Sequence, residues 1–151
     1  MFRGATQITL DAKGRMAIPT RYREKLAERC DGRLVTTVDR DYCLLIYPFP
    51  DWEEIERKLV SLPSFNRQAR RLLRLMVGYA SELDVDGHGR VLLPRELREF
   101  AGLDRQAVLI GQGNKFELWD AARWSARCDE WLNDEAADGL RLPAELESLA
   151  L

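Results

Sequence analysis

One signature occurs twice in this chain of 151 residues, without a gap and offset by 75 positions. Residues 8–24 read ITLDAKGRMAIPTRYRE and residues 83–99 read LDVDGHGRVLLPRELRE. The shared frame is apolar-x-apolar-D-x-x-G-R-apolar-x-apolar-P-x-x-x-R-E. Asp11 matches Asp86, Gly14 matches Gly89, Arg15 matches Arg90, Pro19 matches Pro94, Arg23 matches Arg98 and Glu24 matches Glu99. A frame of this length met twice points to duplication of a structural unit. Whatever the first copy builds, the second must be able to build too. A repeated unit with a basic residue on each turn also suits a partner that is itself repetitive.

Each copy reads as β-hairpin, helix, β-hairpin, helix. Gln7 to Leu10 alternate polar and apolar, as a half-buried strand does. Asp11-Ala-Lys-Gly14 supplies a turn, with Asp starting it and Gly available for positive φ. Arg15 to Ile18 then returns, which predicts a local hairpin, and Pro19 ends the strand. Thr20 is the expected N-cap of a helix over 21–29, with Tyr22, Leu26 and Cys30 on one face. Leu34–Val38 and Cys43–Tyr47 read as two strands around a turn at residues 39–41, closed by Pro48 and Pro50. Asp51 is expected to cap an amphipathic helix bearing Trp52, Ile55, Leu59 and Leu62. Residues 64–80 read as a connector: Ser64 as a cap, then a helix with Arg67, Arg70, Arg71 and Arg74 and a broad apolar arc over 72–77. In the second half, strands are expected at Leu83–Val85, Arg90–Leu93, Ala107–Ile110 and Lys115–Trp119. A short helix reaches about Ala101, closed by Gly102, and a terminal helix spans 121–132. An acidic, Gly-containing stretch over 134–142 precedes a last short helix begun by Pro143. The division expected is 1–63, a connecting basic helix at 64–80, 81–132, and an acidic tail at 133–151.

Charge is distributed unevenly. The net charge is −2, which taken alone argues against nucleic acid. Residues 1–25 nevertheless hold six basic side chains against two acidic ones, whereas residues 129–151 hold seven acidic against one basic. That asymmetry suggests a basic working face and an acidic far side. Nothing in the N-terminal stretch resembles the apolar core of a signal peptide, and no apolar run approaches the roughly 20 residues of a membrane span. The expectation is a cytoplasmic protein.

Most site chemistry is poorly supplied. Cys30, Cys43 and Cys128 are widely spaced, and His88 is the single histidine, so no metal site is expected. Residues 84–95 begin like a calcium loop, but the twelfth position, where a bidentate Glu belongs, is Arg95, and the fifth is His88. Asp11 and Asp86 each precede an Arg by four residues, which keeps both ionised and works against a shared-proton device. No phosphate-cradling Gly-rich loop and no nucleophile triad is present. The chain is therefore expected to be no enzyme and to need no cofactor or small-molecule substrate.

The D-x-x-x-R turn followed by apolar-x-apolar-P resembles the swapped-hairpin DNA-binding fold of the AbrB superfamily. Two copies in one chain, with MFRGA at the start, CLLIYP in the first half and GNKFELW in the second, resemble the MraZ family of bacterial transcriptional regulators over nearly the whole length. The resemblance implies an α+β fold of two tandem swapped-hairpin modules with flanking helices, related by a pseudo-twofold axis. It implies binding to double-stranded DNA with short direct repeats, at the promoter of the division and cell-wall gene cluster in which the regulator's own gene lies first. It also implies a ring-shaped homo-oligomer associated with the nucleoid. The alternatives within reach of the same residues are an antitoxin-like DNA-binding protein and a ring that serves only as a protein scaffold.

Phosphate neutralisation dominates DNA affinity, so clustered Lys and Arg are the expected contacts. Arg15 and Arg90 follow tight turns that fix their direction, and a guanidinium can hold a phosphate or guanine O6 and N7. Lys13 at the turn tip suits a phosphate. Arg3, Arg21, Arg23 and His88 complete the expected DNA-contacting set. Asp11, Gly14, Asp86 and Gly89 are expected to shape the turns, with Asp11 bridging Arg15 across its own loop. The second turn has Gly87 and His88 where the first has Ala12 and Lys13, so the two copies are not expected to contact DNA equally. Trp52, Trp119, Trp124 and Trp131 are candidate core or interface anchors.

Overall fold

Three residues make a strand too short to stand alone, and the two shortest strands of this protein find each other across the duplication. In the computed structural model, which describes residues 1–138 together with 146, 148 and 149, β2 (Arg15–Ala17) pairs antiparallel with its counterpart β6 (Arg90–Leu92). Met16 faces Val91 at the centre, with Arg15 opposite Leu92 and Ala17 opposite Arg90. Residues 75 positions apart thus meet at Met16–Val91, and a pseudo-twofold axis passes through that pair. The Ile18 N–H donates to Gly89 O at 2.8 Å and the Leu93 N–H donates to Gly14 O at 3.0 Å, so the hydrogen bonds obey the same symmetry.

The longer strands are exchanged in the same way. β1 (Phe2–Thr9) pairs with β7 (Gln106–Gly113) of the second half, and β5 (Ser81–Asp84) pairs with β3 (Arg33–Val38) of the first. β3 continues to β4 (Leu44–Pro48), β7 continues to β8 (Phe116–Asp120), and β4 joins β8 with Leu45 opposite Glu117. The six-stranded order β1-β7-β8-β4-β3-β5 reads the same from either edge once the copies are interchanged. The local hairpin expected between residues 7–10 and 15–18 does not form. Its turn closes, with the Asp11 N–H donating to Arg15 O at 3.0 Å and Gly14 to Asp11 O at 3.0 Å, but beyond it the two strands part. The physical reason is core formation: a three-residue hairpin could not cover its own apolar face, whereas the exchanged ribbon buries Met16 and Val91 at 1% exposure each. Burial of one such side chain contributes about 1.5–3 kcal/mol.

Period-two alternation then assigns the two faces of the sheet. Leu34, Val38, Leu44, Ile46, Phe116 and Leu118 share a core with the β2/β6 ribbon. α1 (Thr20–Cys30) and α4 (Arg95–Phe100) complete this layer through Tyr22, Leu26 and Leu97. Val35, Leu45 and Tyr47 point the other way and pack with Trp52 and Leu59 of α2 (Phe49–Val60). The connector covers the same side: α3 (Arg67–Leu72) runs into a π turn over Leu73–Val77, whose Leu73, Met76 and Val77 lie on that second core.

Several helix starts differ from expectation for one reason. Pro19, Pro48 and Pro94 each stand at the N-cap with ψ between 136° and 142°. Thr20 is already the first helical residue, and Asp51 lies inside the first turn of α2, which begins two residues earlier. Proline's fixed φ ends the strand and enters the helix in a single step. In the connector the cap is Asn66, not Ser64: its Oδ1 accepts from the Gln68 and Ala69 N–H groups at 2.9 and 3.1 Å.

Two compact units divide the chain at Ala121/Ala122, and everything above belongs to the first. In the second, α5 (Ala121–Asp138) runs past the expected end at 132. Along it the Trp124 and Trp131 rings meet edge to face at 5.9 Å. Trp52 and Trp119 are buried, whereas Trp131 is 40% exposed. Of the acidic stretch 134–142, residues 139–142 lie outside the described residues, as do 143–145, where the last short helix is expected to begin.

Candidate nucleic-acid interface

Each signature turn is built by its aspartate. Asp11 Oδ1 accepts from the Lys13 and Arg15 N–H groups at 2.9 and 2.8 Å, and Oδ2 accepts from Arg15 Nε at 2.7 Å. A carboxylate that accepts three hydrogen bonds is favoured in its charged form. The backbone N–H of Arg15 and then its guanidinium hold the Asp11 pKa down at about 2. Asp86 repeats the turn, accepting from the His88 and Arg90 N–H groups at 2.8 and 2.9 Å. The same backbone bond, here from Arg90, lowers its pKa. The side-chain bridge is looser in this copy, with Arg90 Nε at 3.6 Å from Asp86 Oδ2, beyond hydrogen-bond range. The turn-shaping assignments of Asp11 and Asp86 rest on these bonds. Gly14 and Gly89 take φ of 87° and 75°, a region that penalises any residue with a Cβ.

The bond from Arg15 to Asp11 Oδ2 is made through Nε, which keeps the two Nη groups as further donors. They are the donors that form two-point contacts with guanine or phosphate. Arg15 and Arg90 start antiparallel strands, so they stand at opposite ends of the ribbon, on its outer face. Beside them on that face lie Leu92, opposite Arg15, and Ala17, opposite Arg90, both exposed, with Leu92 at 55%. Sequence reasoning missed these two small apolar positions; the inward Met16 and Val91 beside them carried the signal. A two-stranded ribbon fits a major groove about 12 Å wide, and its apolar positions can meet thymine methyl groups. Lys13 and His88 are exposed at the two turn tips.

The remaining basic residues are placed elsewhere. Arg21 donates to Thr6 Oγ1 on β1 and lies 4.7 Å from the Tyr22 ring centre, so it rests along the sheet edge. Arg3 is exposed on β1, on the opposite face from core-facing Phe2, and its carbonyl accepts the Tyr22 hydroxyl. Arg23 is half-buried, with Nε donating to Ile18 O at 2.7 Å and its guanidinium against Gly89. The structure therefore brings Lys13, Arg15, His88 and Arg90 to one ribbon and its turns. Arg3 and Arg21 do not join them there, whereas Arg23 reaches the second turn from beneath, its guanidinium against Gly89 between His88 and Arg90. Of the connector arginines, Arg67, Arg70 and Arg71 lie on α3 and Arg74 in the π turn, in the segment that covers the sheet face away from the ribbon.

No group of three or more His, Cys, Asp or Glu side chains is arranged to hold a metal among the described residues, and among them no helix is long and apolar enough to cross a membrane.

Comparison with known proteins bears on this ribbon. A family model described as "MraZ protein, putative antitoxin-like" matches the chain twice, over residues 1–75 and 76–139. A protein of Halorhodospira halophila named transcriptional regulator MraZ is 58% identical, with the whole of both chains aligned. Its namesakes from Thioalkalivibrio sulfidiphilus and Coxiella burnetii are 59% and 51% identical, again over the whole of both chains.

Proposed function

The chain belongs to the MraZ family of transcriptional regulators, which is not an enzyme family, and from that premise we propose how it works on DNA. It binds short direct repeats upstream of its own gene, in the division and cell-wall gene cluster, and regulates transcription there. The observation that carries the reading is the ribbon: two guanidinium groups at fixed places on an exposed outer face, the first aimed by a 2.7 Å bond to Asp11. Arg15 reads a base edge or grips a phosphate, Lys13 neutralises a phosphate, and the Arg90 turn makes the weaker contact because its bridge is looser. Arg3 and Arg21 widen the basic margin.

The proposed assembly is a ring of identical chains. The two halves are similar but not identical, so one side of a chain can pack on the other side of the next, and such a heterologous contact closes when the rotation permits. A ring presents the Lys13/Arg15 turn repeatedly along one rim. Repeats spaced by roughly one helical turn, about 10 bp, meet neighbouring subunits in phase. Linked contacts then raise affinity through effective concentration.

Gel-shift titration on one, two and three footprinted repeats tests this. Affinity should climb with repeat number beyond statistical counting, and about 5 bp inserted between repeats should remove most of the gain. Arg15→Ala should cost roughly 1–3 kcal/mol per occupied subunit, whereas Lys13→Ala should flatten the salt dependence on every sequence alike. Equal affinity for all duplexes, with a folded Arg15→Ala variant binding as the parent does, would overturn the proposal.

A further inference from the structure

The last motif arginine of each copy crosses to the other copy's turn. Arg98 Nε donates to Leu93 O at 3.2 Å, and the Leu93 N–H donates to Gly14 O at 3.0 Å. The guanidinium itself lies against Gly14, so close that a Cβ there would stand 2.5 Å from its Cζ and Nε. Arg23 does the same in reverse. It donates to Ile18 O at 2.7 Å, Ile18 N–H donates to Gly89 O at 2.8 Å, and a Cβ on Gly89 would stand 2.5 Å from Cζ and Nε of Arg23. Arg23 and Arg98 are half-buried, and neither is in an ion pair among those found in the described residues. Each therefore joins three points: its own helix, the end of its own short strand, and the turn of the opposite half.

We propose that Arg23 and Arg98 are positioning residues for the DNA-reading turns, acting in exchange: Arg98 sets the aim of the Lys13/Arg15 turn, and Arg23 sets the aim of the His88/Arg90 turn. The proposal rests on the reading of those turns as DNA contacts. The aspartate shapes each loop internally but fixes nothing about its direction relative to the ribbon. Direction comes from outside the loop, through the glycine carbonyl and the flat guanidinium packed on the glycine Cα. A planar group suits this place because it fits close to the glycine backbone, in a gap that no side chain at position 14 or 89 can share. Lysine carries the same charge but not the plane.

The experiment compares Arg98→Gln and Arg23→Gln in the full-length protein, with amide hydrogen exchange as the first arm. Arg98→Gln should speed exchange at residues 13–15 and leave 88–90 unchanged, and Arg23→Gln should do the converse. The second arm is gel-shift binding to the duplex immediately upstream of the protein's own gene. Arg98→Gln should weaken it roughly tenfold, the scale of one charge-assisted hydrogen bond, with the salt dependence kept because no phosphate contact is removed. Arg98→Lys should not restore affinity. If Gln at either site prevents folding, Arg98→Lys and Arg23→Lys, which keep the stem and the charge but not the plane, should give the same pattern, one turn each. Equal loosening of both turns in either variant refutes the exchange. A flattened salt dependence, rescue by Lys, or unchanged affinity beside a loosened turn refutes the positioning role. A parent protein with no affinity for the upstream duplex refutes the DNA reading, while the exchange pattern still decides the cross-linkage of the turns.

Discussion

Truncation of Phe116 to Ala tests whether the two halves share one core. Phe116 belongs to β8 of the second half and is 1% exposed. Its ring lies 4.3 Å from that of Phe2 on β1 and 5.0 Å from that of Tyr22 on α1, both of the first half. Phe2 and Tyr22 meet edge to face at 5.7 Å, so the three rings close on one another. Removal of a buried Phe ring costs about 3–5 kcal/mol. Two aromatic pairs disappear with it, each worth about 0.5–1.5 kcal/mol beyond its area, which places Phe116→Ala near the upper end of that range. For a chain of this size each kcal/mol lowers the melting temperature by about 2–4 °C, so a fall of about 8–20 °C is expected. Thermal unfolding measures this fall and urea titration the free-energy loss, both followed by far-UV circular dichroism and by near-UV signals from buried Trp52 and Trp119. The exchanged pairing requires both tryptophans, one from each half, to unfold in a single shifted transition. A loss under about 1 kcal/mol, or a Trp119 transition that moves while that of Trp52 stays, would refute the shared core.

Two further outcomes follow from particular contacts. Asp11 is held at about 2, below its ordinary 3.8, so the contribution of its charge to the turn is complete above about pH 4 and is lost as pH falls through about 2; a carboxyl titration by NMR with a midpoint near 4 would show that the three bonds to Asp11 do not persist in solution. Gly111→Ala places a Cβ 2.4 Å from the backbone nitrogen of Arg3, opposite Gly4 in the register of β1 and β7; because backbone on both sides cannot step aside, destabilisation of about 1–3 kcal/mol is expected in thermal or urea unfolding, and an unchanged midpoint would contradict the exchanged register.

The order of elements was legible because strands and helices are written locally, in alternation and in fourfold spacing. Leu34–Val38 and Cys43–Tyr47 fall within a residue of the observed β3 and β4. The partner of each strand was not legible from local pattern. Residues 7–18 carry every mark of a hairpin, and only the demand to bury Met16 against Val91 sends their two strands to different partners; the family resemblance, not the periodicity, implied that exchange. The π turn at Leu73–Val77 was also invisible, since its apolar arc reads as ordinary helix. At the site, the turns could be read because Asp, Gly and Arg sit at fixed short spacings. The inward course of Arg23 and Arg98 could not, because a guanidinium on a helix looks like a surface charge until the glycine it covers is brought in from the other copy.

The exchanged pairing has a consequence for biosynthesis. β1 leaves the ribosome long before its partner β7, so Ile8 has no strand to bond until Ala107 has been made. At about 5–20 residues per second, Phe2–Thr9 waits roughly 5–20 s with its edge open, and the interval lengthens wherever translation pauses between them. A chain truncated before β7 would keep that edge permanently unsatisfied. Nascent fragments of this protein are thus the species with which unfinished copies, emerging side by side on one messenger, would pair strand for strand.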